Sequence, residues 1–175
     1  MEARTVFSMA IAGIFALFSV SASAAPTKAE LEEALKVIQS ASSAESSAMV
    51  ERYSAQEVKA ILAEEGYGSI RVDGESKVVF KSGGHTIVMA IYGDGDLQLY
   101  FGATGIKVTT DDINQWNREK RLSRSYLDND GDVALEADLF ANAGLNKKMV
   151  QEFTKIFCNI SLPAYIKFVR EKDSS

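Results

Sequence analysis

The chain has few residues whose type and spacing could do chemistry, and each set can be held against the geometry its chemistry requires. Asp128, Asp130 and Asp132 bring three carboxylates into one short stretch, and carboxylate oxygens are the hard ligands that calcium takes. An EF-hand loop needs glycine at its sixth position and a bidentate glutamate at its twelfth. Counted from Asp128, Gly131 is fourth and the twelfth residue is Leu139. Aspartate and glycine are also what a hairpin turn wants, for side-chain to backbone bonds and for positive φ. Turn chemistry is therefore the reading, with a weak cation site outside the EF-hand pattern as its alternative. His85 is the only histidine and Cys158 the only thiol, so a Cys/His dyad is formally available, while a histidine-based metal site lacks company. Gly102 to Gly105 (GATG) lacks both the lysine of a phosphate loop and the full dinucleotide pattern, and reads as a connection. No spacing singles out a catalytic carboxylate pair. No cofactor and no metal are expected.

The strongest candidate for recognition is a helical stretch. Ile113, Trp116, Asn117 and Lys120 share one face by their three- and four-residue spacing, with Asn114, Arg118 and Arg121 on the neighbouring one. Tryptophan and arginine dominate binding hot spots, so Trp116 with Arg118 and Arg121 could anchor a partner. The structural reading buries Trp116 under a sheet, lets Asn117 hydrogen-bond to backbone, and pairs the arginines with Glu136 or Asp138. Trp116, Asn117, Arg118, Arg121 and the nearby Tyr126 are carried forward as binding candidates.

The elements that must position these residues follow from periodicity. Thr27-Lys28-Ala29-Glu30 fits a capping box, and Leu31, Ala34, Leu35 and Ile38 give a first helix to about Gln39. Ser40 to Ser47 reads as a flexible Ser/Ala-rich linker, which leaves that helix either a detachable arm or docked on the domain. Met49 to Tyr53 predicts a short edge strand. Ser54 then caps a helix carrying Val58, Ile61 and Leu62, stopped at Gly66. Strands at Ser69 to Asp73, Lys77 to Lys81, His85 to Tyr92 and Leu97 to Phe101, joined by tight glycine turns, predict an antiparallel meander. Leu97, Leu99 and Phe101 alternate with Gln98 and Tyr100 as a half-buried strand should. Core packing is the reading for them, with an apolar peptide groove as the alternative. Thr110 or Asp111 caps the tryptophan helix, which runs to about Arg121. A hairpin follows, Leu122 to Asp128 and Val133 to Phe140, turning at Asn129-Asp130-Gly131. A long helix from about Asn146 to Phe168 closes the domain, and Pro163 should kink it near Ser161. The fold class is α+β, an antiparallel sheet with flanking helices.

Compartment and partners follow from the ends and the charge. Arg4, the apolar run Met9 to Val20 and the small-residue site Ala22-Ser23-Ala24 have the form of an export signal over residues 1–24, with too short an apolar run for a membrane span. Periplasmic location is expected, with no stable membrane anchor after cleavage. The organisation expected is signal peptide 1–24, helix and linker 25–48, domain 49–169 and tail 170–175. A net charge of -5 leaves no electrostatic footprint for nucleic acid. With one cysteine there is no internal disulfide, and Cys158, on an apolar helical face, reads as a buried hydrophobe.

Ile113-Asn114-x-Trp116-Asn117-Arg118, then Arg121, Arg124, Tyr126-Leu127-Asp128, Gly131-Asp132, Leu135-Glu136 and Asp138-Leu139, together with LAEEGY at Leu62 to Tyr67 and DLQLYF at Asp96 to Phe101, resemble the YbjN family of bacterial sensory-transduction regulators. The resemblance spans Met49 to Val169. It implies an architecture similar to type III secretion chaperones, and a regulatory or interaction protein that is not an enzyme. It also implies a protein or peptide partner, and such folds admit a homodimer. Several relatives are cytoplasmic, so the export signal is a departure, although exported relatives with an added N-terminal segment occur. A hydrolase with an unrecognised carboxylate site is the competing reading.

Overall fold

Apolar residues at every second position of five of the six strand segments lay down one face of a sheet, because side chains alternate across a strand. The structure, a computed structural model, describes residues 27–173, so the expected export signal lies outside the described residues. The chain divides into two units, Met1–Ser42 and Ser43–Ser175. Helix α1 (Lys28–Ser47) exposes Leu31, Leu35, Val37 and Ile38. It continues through the Ser40 to Ser47 stretch expected as a linker, where the Ser40 hydroxyl bonds back to the Val37 carbonyl. Alanine's high helix propensity favours the helix there, and the back-bonded Ser40 hydroxyl is tolerated within it.

The rest of the chain reads α2 (Ala55–Glu64), β1 (Gly68–Asp73), β2 (Lys77–Ser82), β3 (His85–Ile91), β4 (Leu97–Ala103), α3 (Thr110–Glu119), β5 (Arg124–Leu127), β6 (Val133–Leu139), α4 (Lys147–Ile156), a π-helical turn (Phe157–Ser161) and α5 (Leu162–Asp173). The strands form one six-stranded antiparallel sheet in the order β1-β2-β3-β4-β6-β5. The expected meander is β1 to β4, and the later hairpin joins it through β6, which leaves β5 on the edge. The α+β class is as the sequence predicts. Met49 to Tyr53 is not a strand: only a single bridge, Val50 to Leu145, forms there.

One face of the sheet is the core. Val78, Phe80, Ile87, Met89, Leu97, Leu99, Val133 and Leu135 are fully buried on it, and Val58 and Leu62 of α2, Val150 of α4 and Tyr165 of α5 are buried with them in one cluster. The strand Leu97 to Phe101 is thus core rather than a groove. The long C-terminal helix is interrupted where Pro163 predicts. Proline has no N–H for the carbonyl four residues back and its ring crowds that carbonyl, so the preceding turn widens, and Leu162 N–H reaches Phe157 O. Helix α5 then runs to Asp173, beyond the expected end at Phe168.

Helix α3 is capped one residue earlier than predicted. Thr109 is the N-cap, and a capping box links it to Asp112. Lys172 of α5 bonds Asp112 at 2.9 Å and Gln115 at 2.9 Å, tying α3 to the last helix. The Thr109 hydroxyl, then the Thr109 backbone N–H, then Lys172 hold the Asp112 carboxyl down at about 2, against an ordinary 3.8. A depressed carboxyl stabilises the fold fully above its unfolded pKa and loses that contribution as pH falls through the folded one. Asp112→Asn should therefore show a shallower loss of urea midpoint between about pH 4 and about pH 2 than the parent protein. Parallel curves for the two proteins would show that Asp112 does not carry this acid sensitivity.

Candidate functional site

The α3 to β5 corner carries the residues nominated by sequence, and the structure divides them by role. Trp116 is 1% exposed, edge-on to Tyr165 at 4.9 Å between ring centres and tilted against Phe168 at 5.5 Å. Lys120 Nζ lies 5.9 Å from the centre of its ring. It is a core residue, and a partner would not touch it directly. Asn117 does what the structural reading asked of it, on both sides of one residue. Its Nδ2 donates to Ser125 O at 3.0 Å and its Oδ1 accepts from Ser125 N at 2.8 Å. A side-chain amide thus takes the place of a neighbouring strand and closes the edge of β5 at Ser125. The buried hydroxyls beneath it form a short relay. Tyr165 donates to Ala134 O at 3.2 Å, so Ser125 Oγ is the donor in its 2.6 Å bond to Tyr165. Burial pushes the Tyr165 phenol up to about 12, partly offset by the Ser125 bond.

Glu136 is 7% exposed on the opposite face and is the buried carboxylate of the sheet. Arg124, through Nε at 3.0 Å and Nη2 at 2.8 Å, donates to its Oε2, while the Tyr126 hydroxyl donates to Oε1 at 2.7 Å. Tyr126 has its pKa raised, by burial first and then by this bond, and the bond to Glu136 raises that of Arg124. Arg118 and Arg121 are exposed, and the carboxylates expected to pair with them are taken by Arg124, which also lies 3.7 Å from Asp138. The signal for this was in the sequence. Counting outward in pairs from a turn closed by Asp128 and Asp132 places Arg124 opposite Glu136, the register observed.

The acidic turn is used by its own backbone. Asp128 Oδ1 accepts from Asp130 N at 3.0 Å and from Asp132 N at 2.9 Å, and Asp132 accepts from Gly105 N at 3.2 Å. Among the described residues no three His, Cys, Asp or Glu side chains group to hold a metal ion. His85 and Cys158 line one cavity of about 710 Å³. Burial raises the Cys158 thiol pKa, against which bonds to Ser82 and Tyr67 act, so the sulfur is held as thiol rather than nucleophilic thiolate. His85 is half-buried at the start of β3, edge-on to Phe101 at 5.6 Å.

Sequence reasoning missed the surface with the clearest recognition chemistry. A groove of about 520 Å³ opens between the end of β6, the segment before β5 and helix α4, with Ala137, Leu139, Phe153 and Ile156 in its lining. Leu122 (65% exposed), Phe140 (66%) and Met149 (37%) stand around it. Leu122 is held at φ 69, a left-handed conformation that leucine rarely adopts and that concentrates at functional sites. Alternation along β6 could have flagged Phe140, since Val133, Leu135, Ala137 and Leu139 are the inward set and Phe140 is out of phase.

The YbjN family model, "Putative bacterial sensory transduction regulator", matches residues 54–162. No curated protein matches the chain significantly. The chain is similar to a solved structure, "Crystal structure of the Yersinia Pestis type III secretion chaperone SycH in complex with a stable fragment of YscM2". The TM-score is 0.46 at 13% identity, over 67% of this chain and 98% of that one.

Proposed function

The chain belongs to the YbjN family, and from that membership we propose that it is an exported, non-enzymatic regulatory or chaperone-like protein that binds an apolar peptide segment of a protein partner. One observation carries the reading: three large apolar side chains, Leu122, Phe140 and Met149, are left in solvent around a single groove. Fully burying an exposed side chain of this size releases roughly 1.5–3 kcal/mol, so Leu122 and Phe140, about two-thirds exposed, each offer about 1–2 kcal/mol and Met149 less, the driving force of a peptide anchor. Arg124, Asp138 and Glu152 in the lining supply a polar rim around these anchors.

Peptides selected from a displayed random library on the purified protein provide the probe, read by fluorescence anisotropy. Phe140→Asp and Leu122→Gly should each weaken binding at least about tenfold, the loss of one buried anchor. Leu122→Gly should leave the melting temperature unchanged or higher, because glycine adopts φ 69 without strain. Selected peptides that bind both variants as tightly as the parent would reject the groove. Export is read from the same preparation: periplasmic protein should begin at Ala25, and a full-length cytoplasmic product would overturn that part.

A further inference from the structure

Where helix α5 faces the Gly83-Gly84 turn between β2 and β3, the packing leaves room. A cavity of about 710 Å³ reaches from this turn past Leu162, Pro163 and Ile166 to Cys158. A second, of about 340 Å³, lies against Phe101, Ile106 and Val169. His85, Ile166 and Arg170 line both, so the two are lobes of one cleft that meet at these residues. Small-molecule sites span roughly 300–1,000 Å³, and the larger lobe alone is of that size. Its floor is supplied by the π-helical turn, in which Cys158 is 5% exposed; single π turns inside helices recur at functional sites. The polar groups at the floor bond one another, the Cys158 sulfur meeting the Ser82 and Tyr67 hydroxyls. The mouth is charged. Lys167, Arg170 and Glu171 stand on the exposed side of α5, Lys167 at 3.8 Å from Glu171, so two cations outweigh one carboxylate there. The His85 ring adds an N–H donor in either charge state.

We propose that this cleft binds an alkyl monocarboxylate of medium chain length, its carboxylate between His85 and Arg170 where the lobes meet and its chain along Leu162, Pro163 and Ile166 toward Cys158. A chain of methylenes carries no polar group, so it can lie against a floor whose hydroxyls and thiol are already bonded to one another. A peptide backbone laid there would leave its N–H and C=O groups unpaired, at the full cost of their desolvation. Arg170 has five donors in a planar fork that matches a carboxylate, enough to hold one beside a protein partner. Lys167 reinforces it as a second positive charge at the mouth. The excess of one positive charge matches a singly charged head, and a doubly charged phosphate would exceed it beside Glu171. The cleft shares no residue with the groove at Leu122 and Phe140, so the two sites are distinct.

Isothermal titration calorimetry of the purified protein with hexanoate, octanoate and decanoate, each below its micelle-forming concentration, tests this. Affinity should rise about fourfold per added methylene, the transfer of one CH₂ group out of water. Octan-1-ol should bind at least about tenfold more weakly than octanoate, the loss of a charge-assisted bond, and octyltrimethylammonium should not bind. Lys167→Glu/Arg170→Glu should lower octanoate affinity at least about tenfold and leave that of octan-1-ol unchanged, a contrast that a misfolded variant would not give. Amide resonances that shift on titration should gather at His85, Cys158 and Ile166. Absence of decanoate binding overturns the proposal. So does octan-1-ol that binds as tightly as octanoate, affinity that does not depend on chain length, or a charge-reversed variant that keeps its octanoate affinity. Shifts gathered at Leu122 and Phe140 overturn it by assigning the alkyl chain to the peptide groove. Failure of the cleft in any other of these ways leaves the peptide reading of that groove untouched.

Discussion

Trp116→Ala is expected to lower the unfolding free energy by about 3–5 kcal/mol, the cost of truncating a fully buried large aromatic. Trp116 is among the largest fully buried side chains of the domain and spans the space between α3 and the aromatic residues Tyr165 and Phe168 of α5. Its loss removes both transfer energy and edge-to-face contact, and leaves a cavity that two helices and a strand must collapse to fill. Its Nε1 has no hydrogen-bond partner, so no bond is lost. Trp116→Phe consequently separates the terms. It keeps most of the packing and removes an unpaired buried N–H, which costs roughly 1–3 kcal/mol to bury, so its loss should be less than half that of alanine. Trp116 is the only tryptophan, so unfolding in urea has to be followed by far-ultraviolet circular dichroism. A loss below about 1 kcal/mol for alanine would mean that the corner is packed otherwise than described.

Gly95→Ala should be at least as damaging, for a different reason. Gly95 sits at φ 93 in the turn between β3 and β4, its N–H donating to Tyr92 O at 3.1 Å. An added Cβ would lie 2.1 Å from the Glu51 carbonyl oxygen and 3.2 Å from the Ala141 Cβ. The first obstacle is backbone, and it belongs to a segment anchored by the Val50 to Leu145 bridge. The next residue, Asp96, accepts the Ala141 N–H at 2.7 Å, so the turn cannot move away without breaking that bond. About 3 kcal/mol or more should be lost, left-handed strain and steric displacement together. Gly105→Ala is the control. Gly105 has φ 75, but a methyl group added there would meet nothing within 4 Å, so only the conformational cost of roughly 1–2 kcal/mol applies. Equal melting temperatures for the two variants would show that the Glu51 contact is not restraining.

The α+β reading rested on local rules that the tertiary structure had no reason to override. The hairpin turn at Asn129-Asp130-Gly131, the Ser54 cap and the Pro163 interruption are each decided within four or five residues. The readings that moved depended on what lies beyond that range. The strand expected at Met49 to Tyr53 shrank to one bridge because its partner is a single residue, Leu145, before α4. Arg124 replaced Arg118 and Arg121 at Glu136 because a strand in register delivers a side chain more directly than a helix surface does.

By itself the sequence determined the family, the antiparallel meander and the order of helices, all of which are written in short-range periodicity and turn chemistry, while it left Trp116 open between core and partner anchor until the structure buried it. Only the tertiary structure decided which apolar side chains stay in solvent around Leu122 and Phe140, and that Asn117 closes the edge of β5. Those features depend on which strands are neighbours. Strand β5 lies at the edge of the sheet, within reach of Asn117, because β6 inserts between β4 and β5, and no local pattern of residues encodes that insertion.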